Sequence, residues 1–486
     1  MTGIGGKVRR ALAWSLLNNL LMRIGNFAVG ILVARIVAPD EFGVFAVALT
    51  VQAILIALAE LGLSADLVRN GRIRERAGTA TTVALGISGV VALVMIATAG
   101  WVSRAMGAPQ ATPVLRVMAL TLLLSGLSVV PYARLQRDFR QAAMLATDAT
   151  SLVVGLLTTV LFVSVGFGAM ALALSRVIAQ ACVCLLQYVL TRMRPTVSFD
   201  RSVAASMVAF GAPVAAANVL SWVVMNAGHV AVGRLSGALM LGFYVLAFNI
   251  SSWPMSALGQ AIRVVALPGL AQIERREDRD RTLASAVALS WAAALLIGVL
   301  LSALATLVIP FVYGDRWLPA ASALAALAYF GAQRIVFDLL ATYLIAAGAT
   351  RAVFVLQAVW LAALVPALAV ATPAWGIAGA GWAQVAVGVL VLVPGYLVAL
   401  RRLGTPLRPV VMGLIVPLGA AAPASLLGWY LAGLFPTAHA AGLVVGGLGT
   451  TAVYLLVLRG WLRTRLVEMR QPAHSASEPV AQDAPA

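Results

Sequence analysis

The chain has 486 residues, of which 62% are hydrophobic and only 10% charged, with a net charge of +17 and 43 glycines. A soluble domain carries roughly 25% charged residues, so this composition cannot cover a water-facing surface and excludes a soluble globular protein. Nor is the basic excess a nucleic-acid footprint, because the arginines fall in short connections between apolar runs.

A bilayer-spanning helix takes roughly 20 apolar residues, and fourteen runs meet that requirement. The first, 11–36, follows Lys7, Arg9 and Arg10; it is too long, and too polar at Asn18, Asn19 and Arg23, for a cleaved signal peptide. Spans at 42–63, 79–102, 114–133, 142–165 and 168–190 complete a group of six. Pro39, Asp40 and Glu41 read as a loop at an outer end, and Cys182 and Cys184, two apart in one apolar run, read as packing residues. A second six runs over 203–232, 239–262, 283–312, 320–347, 352–371 and 377–400, with the charged stretch "REDRDR" at 276–281 expected to be a solvated linker. A pair at 410–431 and 438–458 precedes a small, polar tail from Gln471 that reads as disordered. The runs are continuous and rich in Leu, Ala and Val, without the alternation of barrel strands, so the class is all-α and the protein polytopic.

Retained cytoplasmic connections collect Lys and Arg. With the N-terminus inside, 26 of these residues fall on the inner side and four, Arg35, Arg104, Arg234 and Arg316, at outer ends. Both termini are therefore expected in the cytoplasm, with the protein in a bacterial inner membrane.

Sliding the chain by 199 places Asn19 on Asn218, Val33 on Val232, Arg35 on Arg234 and Gly43 on Gly242. An offset of 207 sets Met106-Gly107 on Tyr313-Gly314 and Leu120 on Leu327, and an offset of 208 sets "FGAMALALS" from Phe167 on "WGIAGAGWA" from Trp375. Offsets that drift this little indicate two copies of one six-helix unit. Six is even, so the second copy enters from the same side and the repeat is parallel, the plan of many secondary transporters. The expected division is a lobe over 1–195, a lobe over 196–405, two added helices over 406–462 and a cytoplasmic tail over 463–486.

Four stretches carry a family resemblance: "LVARIVAPDEFGVFAVAL" from Leu32, "LAELGLSADLVR" from Leu58, "RLQRDFR" from Arg134 and "YGDRW" from Tyr313. They resemble bacterial lipid-linked oligosaccharide flippases, the Wzx-type exporters of the multidrug/oligosaccharidyl-lipid/polysaccharide superfamily. The resemblance implies a V-shaped pair of lobes that turns undecaprenyl-diphosphate-linked oligosaccharide from the inner to the outer leaflet for cell-surface polysaccharide synthesis. It implies no ATP site, and the sequence carries no Gly-rich phosphate loop ending in Gly-Lys-Ser/Thr. No cofactor, metal or catalytic residue is expected; the lipid-linked sugar, the bilayer and other polysaccharide-assembly proteins are the expected partners.

In the first span Ser15, Asn19, Arg23, Asn26 and Gly30 recur every three or four residues and form one polar stripe. A charge at the bilayer centre costs at least roughly 2.5 kcal/mol, so Arg23 faces either a wet cavity, where its fork suits a diphosphate, or a buried partner such as Glu60 or Asp148. In the second copy Asn218, Ser221, Asn226 and His229 form the matching stripe, with Trp222 at the place of Arg23, which biases basic charge to the first lobe. His229 reads as a hydrogen-bonded outer-end histidine, with proton coupling as the alternative. Arg176, mid-span, and Arg116, near an outer end where it can instead snorkel, are further substrate-binding candidates, and Arg263 could meet headgroups at the inner mouth. Arg334 has Asp338 one turn on, the spacing of an internal ion pair, while Glu60 and Asp148 are candidate ion-coupling or pairing acids. The alternatives are a peptidoglycan-precursor flippase or drug exporter of the same superfamily, a membrane-embedded polymerase or ligase, and a non-transporting scaffold.

Overall fold

This computed structural model describes residues 22, 24–60, 62–70, 73–272 and 276–470, without the side chains of 60, 70, 74, 213, 214, 217, 260–272, 276–279 and 466–470. Asn19 and Arg23, and the side chains of Glu60 and Arg263, therefore lie outside it.

The described chain is helical: α1 (Ile24–Ile36), α2 (Pro39–Glu60), α3 (Leu63–Asn70), α4 (Ile73–Ala105), α5 (Thr112–Arg137), α6 (Gln141–Ser164) and α7 (Ala169–Thr191) come first. There follow α8 (Arg201–Gln272), α9 (Arg276–Ala303), α10 (Ala305–Tyr313), α11 (Ala320–Ala346), α12 (Thr350–Val387), α13 (Val393–Arg402), α14 (Leu407–Gly433) and α15 (His439–Arg470). Among the described residues, 11 helices are long and apolar enough to cross a membrane.

Two of those carry two of the expected runs each. Helix α8 breaks at Gly237 (φ 83°). Helix α12 breaks at Trp375 and Gly376 (φ 60°). Only a backbone without Cβ takes these angles cheaply, so each glycine folds a hairpin at a membrane surface rather than starting a new loop. With those hairpins divided, thirteen of the fourteen expected runs are present among the described residues, and α1 is the described part of the first.

Two sequence expectations need correction. Pro39, Asp40 and Glu41 are not a loop: they form the first turn of α2, where proline lacks only a hydrogen bond the helix start could not make and the acids face the positive end of the dipole. The stretch 276–281 is not a solvated linker, because it opens α9. Asp280 within it is buried, and its Oδ1 accepts from Tyr343 Oη at 2.6 Å and from Thr405 Oγ1 at 3.2 Å.

Between the lobes, Asp200 caps α8: its Oδ1 accepts from the Ser202 hydroxyl at 2.7 Å and from the Ser202 and Val203 amides at 2.8 and 3.2 Å. The Ser202 hydroxyl first, and then these amides, hold this carboxyl below the usual carboxylate range.

The lobes meet most closely at the end of the bundle that carries few basic residues. There Gly43 and Gly242, equivalent by the 199-residue repeat, lie against each other. A Cβ on Gly43 would stand 2.2 Å from the Ala238 carbonyl oxygen, and one on Gly242 would stand 2.9 Å from Gly43 Cα. Around this contact the arginines lock opposite helix ends. Arg35 donates through Nε to Val312 O at 2.8 Å and through Nη2 to Phe311 O at 2.9 Å, at the end of α10. Arg234, its repeat partner, donates to Ala105 O at 3.0 Å, at the end of α4. The 207 offset that sets Met106 on Tyr313 also sets Ala105 on Val312, so the two locks are one interaction made twice. Arg316 Nη2 and Trp317 Nε1 add bonds of 2.7 and 2.8 Å to Ala34 O at the end of α1. A guanidinium at a helix C-terminus supplies missing donors and opposes the negative end of the dipole.

Two outcomes follow from this closed end. Gly43→Ala must push backbone apart and is expected to cost about 1–3 kcal/mol, whereas Gly30→Ala, with nothing within 4 Å of its Cβ, should leave the thermal midpoint in detergent unchanged or raise it. Replacing Arg35 and Arg234 together by Gln should raise labelling of a cysteine at buried Leu241 by an impermeant maleimide, in a background lacking Cys182 and Cys184. A rise of about tenfold is expected for a lock worth roughly 1–2 kcal/mol.

Candidate functional site: a polar cavity in the first lobe

The first lobe carries an open cavity of about 1100 Å³. One face of α5 supplies Ser125, Ser128, Val129, Tyr132 and Gln136, at spacings of three and four that put them in one stripe. Helix α7 supplies Gln180, Val183 and Gln187, and α2 and α3 add Ile56, Ser64, Val68 and Arg69. Arg137 and Phe139 close the list at the basic end. From Ser125 to Phe139 is about 20 Å at 1.5 Å per helical residue, so the cavity reaches from the membrane surface to mid-bilayer.

The wall mixes apolar side chains with neutral hydrogen-bonding groups, and Arg69 and Arg137 add charge. Gln187 Oε1 is buried without a hydrogen-bond partner among the described residues. Ser128 Oγ has nothing stronger beside it than the Cys184 thiol. Buried polar atoms are normally paired, so two orphans on one wall mark a place built for a polar ligand or water.

Arg176 extends the same α7 face one turn beyond Gln180. It is exposed and lies beyond the residues that line the cavity. No hydrogen bond or ion pair holds it among the described residues. Its equivalent at the 208 offset is Gln384, whose amide nitrogen donates to Tyr244 Oη inside the second lobe. The cation at this position belongs to the first lobe alone, the direction of bias that the sequence indicated.

The other candidates are dispersed. Arg116 sits in the first turns of α5, on the face opposite the cavity stripe and beside exposed Leu120, so it is not brought to the cavity; its place suits snorkelling to the surface. Asn26 is exposed on α1 and bonds Met22 O at 2.7 Å, and Asn218 and Asp148 are exposed on α8 and α6. Arg334 is half-buried, with Ser252 Oγ at 3.5 Å and the rings of Phe248 and Phe330 at 5.8 and 6.0 Å. Asp338 adds a favourable charge from one turn away. His229 is buried, with Nδ1 3.0 Å from Asn226 Oδ1 and its ring edge-on to Tyr244 and Phe248.

The cavity residues themselves were not singled out from the sequence. Gln180 and Gln187 stand four and eleven residues after Arg176 and so share its face, a signal available in principle. Uncharged amides in an apolar run cost too little to stand out as an arginine does.

The fold is that of known transporters. The lipid II flippase MurJ, in an inward closed conformation, superposes with a TM-score of 0.71 at 13% identity, covering 93% of this chain and 100% of that one. An inward-facing multidrug resistance MATE family transporter of the MOP superfamily gives 0.63 at 17% identity, over 79% of this chain and 94% of its own. In sequence, the model for the family described as polysaccharide biosynthesis protein matches residues 32–322.

The chain belongs to that family.

Those residues run from the end of α1 into the start of α11, and include the whole cavity wall. Relatives of known name include the succinoglycan biosynthesis transport protein ExoT of Rhizobium meliloti, 30% identical over 280 residues, or 56% of this chain and 55% of that protein. The lipopolysaccharide biosynthesis protein WzxC of Escherichia coli is 25% identical over 329 residues, 64% of each chain. The aligned part thus spans less than two thirds of either relative. Both are named for polysaccharide biosynthesis, in agreement with the resemblance read from the sequence.

A cavity wall with an orphaned amide oxygen behaves differently from a satisfied core. Gln187→Leu leaves no oxygen unpaired and is expected to keep or raise the thermal midpoint. Gln52→Leu strips the buried bond to Thr121 and should cost about 1–3 kcal/mol; paired melting curves compare the two.

Proposed function

We propose that the protein carries a polyprenyl-diphosphate-linked oligosaccharide across the bacterial cytoplasmic membrane for surface polysaccharide synthesis, by alternating access of the two lobes. The observation that carries this reading is the cavity: a long, amide- and hydroxyl-lined chamber within one lobe of a membrane bundle, with an unpaired arginine beyond it. Sugars offer many hydroxyls to such a wall, and a diphosphate offers paired anionic oxygens to a guanidinium. Arg23 and Asn19, expected on the first span, join Arg176 in this proposal as diphosphate ligands. The polyprenyl tail stays in lipid between the lobes.

The charge distribution supports both termini inside, so the end locked by Arg35 and Arg234 faces out and the cavity mouth at Arg137 faces the cytoplasm. Outward movement of negative charge gains about 2.3 kcal/mol per charge per 100 mV of inside-negative potential. Membrane voltage therefore drives export without a nucleotide.

Family membership supports a transporter over a polymerase or ligase, since the related proteins are named for transport and biosynthesis. The arginines of the first lobe disfavour an exporter of lipophilic cations.

The test is flipping in proteoliposomes, with undecaprenyl-diphosphate-linked oligosaccharide set against lipid II and a lipophilic cation. The first substrate alone should move at an appreciable rate. Arg176→Gln and Arg23→Ala should each slow it roughly tenfold or more while the protein stays folded. Equal rates for wild type and both variants, or release of free polyprenyl diphosphate, would end this reading.

A further inference from the structure

The turn between α5 and α6 holds an unusual residue. Phe139 adopts a left-handed backbone (φ 52°), and its side chain is 75% exposed. The turn is a regular helix stop: the Phe139 amide donates to Gln136 O at 3.2 Å and the Arg140 amide to Leu135 O at 3.0 Å. That pattern places Phe139 at the position where helices ordinarily use glycine.

The chain supplies its own control. The repeat-equivalent helix α11 ends in the same motif, with the Gly348 amide donating to Ile345 O at 3.0 Å and the Ala349 amide to Leu344 O at 2.8 Å. There the left-handed residue is Gly348 (φ 80°). The first lobe therefore holds a phenylalanine where the second copy of the same turn uses the unstrained residue.

Neither burial nor folding accounts for that choice. The ring is open to its surroundings, and neighbours hold the backbone in place: Arg134 Nε lies 3.5 Å from Asp138 Oδ2, and Arg140 Nη1 donates to Leu190 O at 2.7 Å. Strain kept in place by its surroundings concentrates at functional sites. Phe139 lines the mouth of the first-lobe cavity together with Tyr132, two turns up the same stripe of α5. Behind them lie the orphaned Gln187 Oε1 and Ser128 Oγ. An aromatic face beside unpaired hydrogen-bonding groups is the chemistry that recognises a pyranose, whose C–H face stacks on a ring while its rim hydroxyls bond outward.

Resting on the flippase reading above, we propose that Phe139 is a sugar-stacking residue that admits a neutral pyranose of the cargo glycan to the cavity, with Gln187 receiving one of its hydroxyl protons in a hydrogen bond.

The full-length protein in nanodiscs tests this with two probes: bare undecaprenyl diphosphate, and the same lipid carrying a neutral glucose–galactose tetrasaccharide. Wild type should bind the glycosylated probe more tightly. Phe139→Gly, which gives the turn the residue of the second lobe, should keep or raise the thermal midpoint. It should lower the preference for the glycosylated probe roughly 3- to 10-fold and leave affinity for the bare lipid unchanged. Phe139→Trp should retain the preference and Phe139→Leu should not. An unchanged preference in Phe139→Gly, or rescue by leucine equal to that by tryptophan, overturns the proposal. Equal weakening of both probes also overturns it and makes Phe139 an interfacial anchor. Wild type that binds both probes alike sinks the stacking role and leaves the flippase reading standing, whereas wild type that binds neither sinks both.

Discussion

The last carbonyls of a helix have no partner within it, and the closed end of this bundle is organised around supplying one. The last carbonyls of α10 and α4 are bonded by Arg35 and Arg234, each from the opposite lobe. The guanidinium can sit so close because Gly43 and Gly242 let the backbones of α2 and α8 touch. Neither feature works alone. A Cβ at the glycine contact would hold the lobes apart and strand the arginines, and without the arginines the ends of α1, α4 and α10 would be left with their negative poles uncompensated.

Duplication explains why this contact is symmetrical, and divergence explains why the cavity is not. Two pairs of positions at the joint are the same residue in both copies, Arg35 with Arg234 and Gly43 with Gly242, whereas Arg316 and Trp317 fall opposite Pro109 and Gln110. Other positions differ. Arg176 corresponds to Gln384, which is spent on Tyr244 inside the second lobe. Arg23 corresponds to Trp222, and Phe139 to Gly348. Both lobes keep buried polar atoms without partners among the described residues, Ser88, Ser128 and Gln187 in the first and His229, Gln333, Trp360 and Thr372 in the second; the cavity is lined by the first. A joint must match itself across a two-fold axis, whereas a binding site needs only one copy.

The sequence was legible where the bilayer imposes a rule. Twenty apolar residues in a row can hardly be anything but a span, and thirteen of the fourteen runs are helices of spanning length among the described residues. Arg35 and Arg234 were readable as a repeat, though their role was not, because a carbonyl acceptor leaves no mark on the sequence. The hairpins at Gly237 and at Trp375–Gly376 were invisible as unbroken helix stretches for a related reason: a single glycine can turn the chain without any polar punctuation. Asp280 was misread because its partners, Tyr343 and Thr405, are 63 and 125 residues away. The cavity was missed for an energetic reason. Sequence reading ranks intramembrane residues by the cost of burying them, which finds Arg176 and passes over Gln180 and Gln187. Arg116 shows the converse, a costly residue whose exposed position near a helix end spares it that cost.

Magnitudes indicate why the lock uses backbone acceptors rather than ion pairs. Breaking a buried pair of charges strands both, at roughly 3–5 kcal/mol, and a gate built that way would open rarely. A charge-assisted bond to a carbonyl is worth about 1.5–3 kcal/mol when sheltered. Arg35 and Arg234 are exposed, so water replaces the lost carbonyl as soon as they let go, and each bond falls to the low end of that range or below. On the proposed reading, a diphosphate moving outward gains about 2.3 kcal/mol per charge per 100 mV. The two energies are of the same size. A lock of this strength keeps an empty carrier shut and yields to a loaded one, which a stronger set of contacts at the same positions would not do.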